Sequence, residues 1–371
     1  MYKRIVIASI LKPVDDTRMY EKFGISLGNT NKYEVNIIGF YSKINTKAKN
    51  LHVYPIFNFS RLSPFRLLAP YKYFQILLKV KPELIIVTTP ELLSISSLYK
   101  RIFSCKLIYD IQENHYYNIA FGNIYPLLLR QPLAKLARLI EKSLKRNIDF
   151  FFLAEKCYKN EIDFIGNRYK VIENKFKGTV ADNPNLWMEG KRIKLLYSGT
   201  ISDNYGIFHV IHLVKKWHLQ NKMIELLIMG KCAHGPTLKK LQKEIKGFHF
   251  ISLIGGHKLV PHQEIIENIS SSNFGLVSYQ PDRTTANKIP TKLFEYMSLK
   301  LPIIMQDHIP WVKFCNAYKA CIPINFKNFS IDQLETGIRQ KDFYSKGNFQ
   351  ELLWHSEEVK LLENVEKIIN S

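Results

Sequence analysis

Short apolar runs rich in β-branched residues recur along the whole chain, with helix-length segments between them. Their apolar residues are consecutive rather than alternate. Such runs suit strands buried on both faces, which is the condition of a parallel sheet covered by helices. In the first half they fall at residues 5–9, 35–40, 84–88, 106–109, 150–153 and 171–173. In the second half they fall at 194–198, 225–229, 250–254, 274–279 and 302–305, with helical segments predicted at 208–220, 237–246, 261–271 and 290–299. Several gaps are long enough for a crossover helix. Between the halves, "GTVADNPNLWMEGKRI" has no period and is rich in Gly, Pro, Asn and Asp, as a linker is.

The expected organisation is therefore α/β: two Rossmann-like, doubly wound domains facing a cleft. The first spans residues 1–178 and the second 194–346, joined by a linker at 179–193. Residues 347–371 have the spacing of an amphipathic helix, which is free to cross back onto the first domain. A chain of 371 residues is comfortable for two domains of this kind.

The chain carries 53 Lys and Arg against 32 Asp and Glu. The excess is uneven, with 29 basic and 14 acidic side chains in residues 1–180. A field concentrated on one half suits an anionic partner there, although a solvated Lys-rich surface explains it equally well. No stacking module or recognition-helix motif stands out, so nucleic acid is not the expected partner. The five cysteines lack any C-x-x-C spacing, which predicts a reducing compartment and no disulfide framework. "MYKRIVIASILKPVDD" has basic residues before an apolar run, as a signal peptide does, but Asp15 and Asp16 follow at once and a buried first strand is expected. No apolar run reaches the length of a membrane span.

"NKIPTKLFEYMSLKLPII" (residues 287–304) concentrates the chemistry. Pro290 suits the first helical position. A helix N-terminus presents unpaired N–H groups and partial positive charge, Lys292 adds a full charge, and Glu295 lies one turn on. The pair makes sense as a clip for a nucleoside diphosphate, with Lys292 on phosphate and Glu295 on the ribose diol. A surface ion pair at i,i+3 fits the same spacing. "LLYSGTISDNYGI" (residues 195–207) runs strand, glycine, loop, helix, which allows close approach of backbone to phosphate.

These segments resemble glycosyltransferase family 4. "IPTKLFEYMSLKLPII" resembles that family's P-x-K-L-x-E-Y-M-A-x-G-x-P-V-I signature, and "YSGTISDNYGI" the loop that opens its donor domain. "KPVDDTRMYEKFGISL" resembles its first N-terminal loop, "LIYDIQEN" its Y-D-x-H-E segment, and "IEN" its P-N turn. The matches keep the family's order and cover nearly the whole chain.

The resemblance implies the GT-B fold and retaining glycosyl transfer from a nucleotide-sugar, with no cofactor or bound metal. It puts Gly199, Thr200, Tyr205, Lys288, Lys292, Leu293 and Glu295 on the donor, with Arg283 available to the diphosphate. Glu113, His115 and Asn287 would take catalytic roles. Asp16, Arg18, Asp110 and Asn114 would face the cleft on the acceptor side. The chain departs from the family at four points. Asn287 stands where the first carboxylate of E-x7-E is usual, Thr200 and Tyr205 where Arg and Lys are usual, and Gln112 where His is usual, so that His115 is the available imidazole.

The acceptor would be a glycan or lipid-linked molecule in cell-surface polysaccharide synthesis. The chain would be cytoplasmic, with a peripheral seat on an anionic membrane surface. "PLLLRQPLAKLARLIEKSLKRNIDF" and "PFRLLAPYKYF", together with Arg61, mix basic, Leu and aromatic side chains in the manner of such a surface. A core-packed helix with a solvated face fits the first segment as well. A non-catalytic basic binding protein and a nucleotide-sugar epimerase of the same fold are the competing readings.

Overall fold

The doubly apolar runs form two all-parallel sheets in a computed structural model that describes residues 2–42, 49–60, 63–122, 125–182 and 191–371. Arg61 and positions 183–190 of the expected linker lie outside the described residues. The chain divides into two compact units, residues 1–177 with 354–371, and residues 178–353.

In the first unit the strands are β1 (Lys3–Pro13), β2 (Tyr33–Phe40), β3 (Leu51–Phe57), β4 (Leu84–Val87), β5 (Lys106–Ile111), β6 (Phe150–Leu153) and β7 (Tyr169–Val171). Among the described residues they lie in the order β3-β2-β1-β4-β5-β6-β7. The second unit has β8 (Ile193–Ser198), β9 (Ile224–Lys231), β10 (Ile251–Gly256), β11 (Phe274–Val277), β12 (Ile303–Gln306) and β13 (Cys321–Ile324). Their order is β10-β9-β8-β11-β12-β13. Each sheet reverses its winding once, at β1/β4 and at β8/β11, and an open α/β sheet binds ligands at that crevice.

The period-2 alternation of β1 divides the first core. Val6 and Ala8 pack with Tyr73, Leu77 and Leu92 of the helices Ala69–Val80 and Pro90–Phe103. Ile5 and Ile7 point the other way, to Phe23, Trp354, Leu361 and Val365. The amphipathic pattern near the end of the chain thus becomes a helix, His355–Asn370, that completes the first unit's core. Trp354 anchors its start, with its indole N–H on Ser26 Oγ at 3.0 Å and its ring 5.9 Å from that of Phe23.

Two strands are additions to the sequence reading. β3 and β13 contain Pro55 and Pro323, and both are edge strands, where a missing N–H is tolerated. The segment after β1, expected as a loop, winds instead into a wide π-type helical turn (Thr17–Gly24) that continues into Ile25–Gly28. The five cysteines are free thiols.

Candidate active site

In the second unit, the helix Thr291–Ser298 starts beside the end of β8. Pro290 sits at its N-cap, one position before the first helical residue, and no side chain caps it. Lys292 is 6% exposed and is no surface ion-pair partner. Its Nζ donates to the Ser198 carbonyl and lies 4.8 and 4.9 Å from the ring centroids of Tyr197 and Tyr279. Burial pulls its amine down to about 7, against the opposing pull of the Glu295 charge. Glu295 is half-buried, and its Oε1 lies 2.9 Å from His262 Nε2. Tyr296, one residue on, closes the inner side with its hydroxyl 2.8 Å from Ser198 Oγ.

Gly199 follows β8 with φ +100°, a conformation glycine adopts without strain. A Cβ there would come 3.6 Å from Lys292 Nζ, so the bare backbone leaves the amine approachable. Gly230, at φ +150° on the neighbouring strand, is tighter, since its Cβ would fall 1.7 Å from the Gly199 carbonyl oxygen. Gly230→Ala is therefore expected to destabilise the second unit by about 1–3 kcal/mol and to push the Gly199 loop out of place. Gly235→Ala, with nothing within 4 Å of the new methyl, should change the melting temperature little. Thermal melts of both variants check this, and equal melting temperatures would refute it.

The other expected donor residues are spread over this sheet edge. Thr200 is exposed, and its carbonyl accepts from the Tyr197 hydroxyl at 3.0 Å. Tyr205 stacks on Tyr279 with centroids 4.4 Å apart. Asn287 and Arg283 are exposed, and Lys288 is half-buried. The 286–288 backbone is held by the Trp311 indole on Lys288 O at 2.7 Å and by His308 Nε2, 2.8 Å from Ala286 O. Leu293 belongs to the core with no exposed side-chain surface, so its side chain cannot reach a ligand.

In the first unit the expected acceptor residues occupy the carboxyl ends of β1 and β5, but not as free groups. Asp16 caps the Thr17–Gly24 turn, accepting from Arg18 N and Met19 N at 3.0 and 3.1 Å. Arg18 and Asp110 are both buried and form a two-bond pair of 2.9 and 2.7 Å, with a third Arg18 bond to Ile172 O and Gln112 Nε2 donating to the same carboxylate. The expectation that Arg18 and Asp110 offer charge to an acceptor is corrected accordingly: these two groups tie the turn to β5, while Asp16 stays part-exposed as its cap. Asn114 is also buried, with its amide spent on Glu161 and Arg138 while it caps the helix His115–Phe121.

Glu113 and His115 are hydrogen-bonded as well, but they also face a cavity. Both line a cavity of about 180 Å³ together with Arg66, Tyr125 and apolar residues of the helix Leu127–Leu144. Asn118 Nδ2 donates to Glu113 at 2.6 Å, and His115 Nε2 lies 3.2 Å from Thr88 O. Among the described residues no group of three or more His, Cys, Asp or Glu side chains is placed to hold a metal ion.

The sequence reading missed His262 and the tyrosine cage around Lys292. His262 lies 33 positions before Glu295, and nothing in local spacing links them.

No protein-family model matches the chain, and no curated protein matches it. Solved structures do. Sucrose-phosphate synthase from Thermosynechococcus elongatus is similar over 99% of each chain, with a TM-score of 0.72 and 11% identity. HepE of Anabaena, solved in complex with UDP-glucose, covers 99% of this chain and 100% of its own, with a TM-score of 0.67 and 12% identity. A Listeria monocytogenes protein assigned as a UDP-N-acetylglucosamine 2-epimerase covers 99% and 96%, with a TM-score of 0.63 and 10% identity. At these identities the likeness establishes the fold alone, the GT-B fold with its two Rossmann-type α/β domains.

Proposed function

We propose that the protein is a retaining glycosyltransferase of family 4 type that moves a sugar from a nucleoside-diphosphate sugar to a glycan or lipid-linked acceptor in cell-surface polysaccharide synthesis. One observation carries the reading: a desolvated lysine amine beside an uncapped helix start, with a carboxylate one turn further along the same helix. A departing diphosphate needs positive charge where its own charge develops, and a dry, fixed amine is worth more there than one in water. Glu295, already oriented by His262, has a second oxygen for a ribose diol. In the reaction the C1–O bond to the diphosphate breaks and a bond from the acceptor hydroxyl to C1 forms. The acceptor proton leaves with the diphosphate, and Glu113 keeps the catalytic role that the family resemblance assigns it. Lys292 and the helix start supply the charge a metal would otherwise bring, so no cofactor is invoked. Asn287 is assigned to the sugar hydroxyls as a neutral partner. HepE, which shares the fold, has been solved with UDP and glucose.

The test is a thermal-shift panel with UDP, GDP, dTDP, ADP and CMP in the presence of EDTA. One diphosphate should raise the melting temperature by linkage. Glu295→Ala should weaken that ligand by about 1.5–3 kcal/mol, the scale of a charged hydrogen bond. No shift with any nucleotide, or an unchanged shift in Glu295→Ala, would remove the clip and favour a binding-only relative. That alternative draws on the neutral Thr200 and Tyr205. Similarity to the Listeria protein favours a second reading, epimerisation. Incubation with the selected nucleotide-sugar alone decides it, because an epimerase changes the sugar without any acceptor.

A further inference from the structure

The helices Ala69–Val80, Pro90–Phe103 and Leu127–Leu144 pack side by side over one face of the first sheet. Their outer surface is unusual in two ways. Large apolar side chains stand in solvent at one end of the layer: Phe65 is 67% exposed, Leu67 83%, Leu127 75% and Leu128 89%. Single exposed leucines are ordinary, but Phe65 and Leu67 flank Arg66, and Leu127 and Leu128 follow close on Tyr125; Arg66 and Tyr125 line the cavity containing Glu113 and His115. The charges on the layer are also one-sided. The three helices carry Lys72, Lys79, Arg101 and Lys135 exposed to solvent, while Lys142 is paired with Asp163 at 2.7 Å. Their acids are Glu91, paired with Arg66, and Glu141, which is buried.

We propose that this face docks on an anionic lipid bilayer, and that the cavity behind its rim takes the start of the hydrocarbon chain of a lipid-linked acceptor. The acceptor assignment rests on the glycosyl-transfer reading, whereas the docking does not. A bilayer satisfies both features at once. The rim side chains enter the acyl boundary, and the Lys and Arg side chains are drawn to the anionic headgroups. A second copy of the chain would set two basic faces against each other, and a nucleic acid would leave the leucines wet. Among the described residues no helix is long and apolar enough to cross a membrane, so the layer would lie on the surface. The cavity suits a chain that arrives from such a surface. Leu133, Leu136, Ala137 and Ile140 make its apolar wall, and Leu136 is itself exposed on the outer face. Glu113 and His115 supply the polar end, where an acceptor head group would sit.

The experiment is sedimentation of the full chain with phosphatidylcholine vesicles, with and without phosphatidylglycerol. Binding should require phosphatidylglycerol, weaken with salt, and fall at least about tenfold in L127Q/L128Q, whose side chains are solvated and whose fold should survive. The nucleotide-induced thermal shift should be unchanged in that variant. Titration calorimetry with dodecyl phosphate should show binding that Ala137→Phe weakens while vesicle docking persists. Vesicle binding indifferent to phosphatidylglycerol or to L127Q/L128Q would overturn the docking. So would a dimer in sedimentation velocity that L127Q/L128Q dissolves. Dodecyl phosphate affinity unchanged by Ala137→Phe would overturn the cavity assignment. Loss of every nucleotide shift with docking intact would instead defeat the glycosyl-transfer reading.

Discussion

Lys292→Met is expected to raise the melting temperature of the ligand-free protein while abolishing nucleotide-induced stabilisation. The amine is buried between two tyrosine rings and a backbone carbonyl, with Glu295 as its nearest opposite charge. A charge held there costs stability, and a methionine of similar length fills the same space without it. The Ser198 carbonyl loses its donor, which returns about 1 kcal/mol of the gain. On the proposed mechanism, transfer should fall by about 10²–10³-fold, as when one preorganised electrostatic donor is removed.

The pH dependence separates this account from a purely structural one. The folded amine titrates near 7 and the unfolded one near 10.5, so between those values the native state binds fewer protons. Stability contributed by this group therefore rises with pH across that window, by up to about 1.4 kcal/mol per unit, and the methionine variant lacks the slope. Nucleotide binding has the opposite sense, because the diphosphate needs the protonated amine. Its affinity should fall by up to about tenfold per pH unit above 7. Calorimetric titrations at several pH values check both, and a flat affinity profile would place the amine away from the diphosphate.

Glu357→Ala should destabilise the first unit by about 3–5 kcal/mol, the usual result of leaving a buried charge without its partner. Glu357 has no exposed surface and accepts from Lys175 and Lys360, each at 2.7 Å, and from Glu173 N at 3.1 Å. Burial alone would push its carboxyl up. The bonds from Lys175 and Lys360 outweigh burial, and the net shift is down from 4.5. A depressed carboxyl contributes stability that is present above its unfolded value and is lost as pH falls through the folded one. Wild type should thus lose stability below about pH 4.5 more steeply than Glu357→Ala, and parallel denaturant curves at neutral and acidic pH would show it. Identical acid dependence in the two proteins would mean the lysine bonds contribute nothing.

The interior strands were legible because burial on both faces leaves a continuous apolar run, as in β4 and β11. The edge strands β3 and β13 were not, because an edge needs neither the run nor every N–H, and each accommodates a proline. The Lys292–Glu295 segment could be found because both groups lie on one helix. His262, Tyr197 and Tyr279 reach it only through sheet order, which brings together positions far apart in the chain. Arg18 and Asp110 were placed at the right strand ends but read as free, since their mutual pairing spans 92 residues. Residue type revealed their charge, and only the fold revealed where it was spent.

The return of residues 354–371 to the first unit makes the second unit an insertion, contiguous in sequence and nested inside a discontinuous one. During synthesis the nested part has all its strands while Ile5 and Ile7 still wait for Trp354 and Leu361 to cover them. Of the two units, the one begun earlier is thus the one finished later. A premature stop near residue 354 would be felt about 350 positions away, with the nested unit left whole and β1 stripped of one wall.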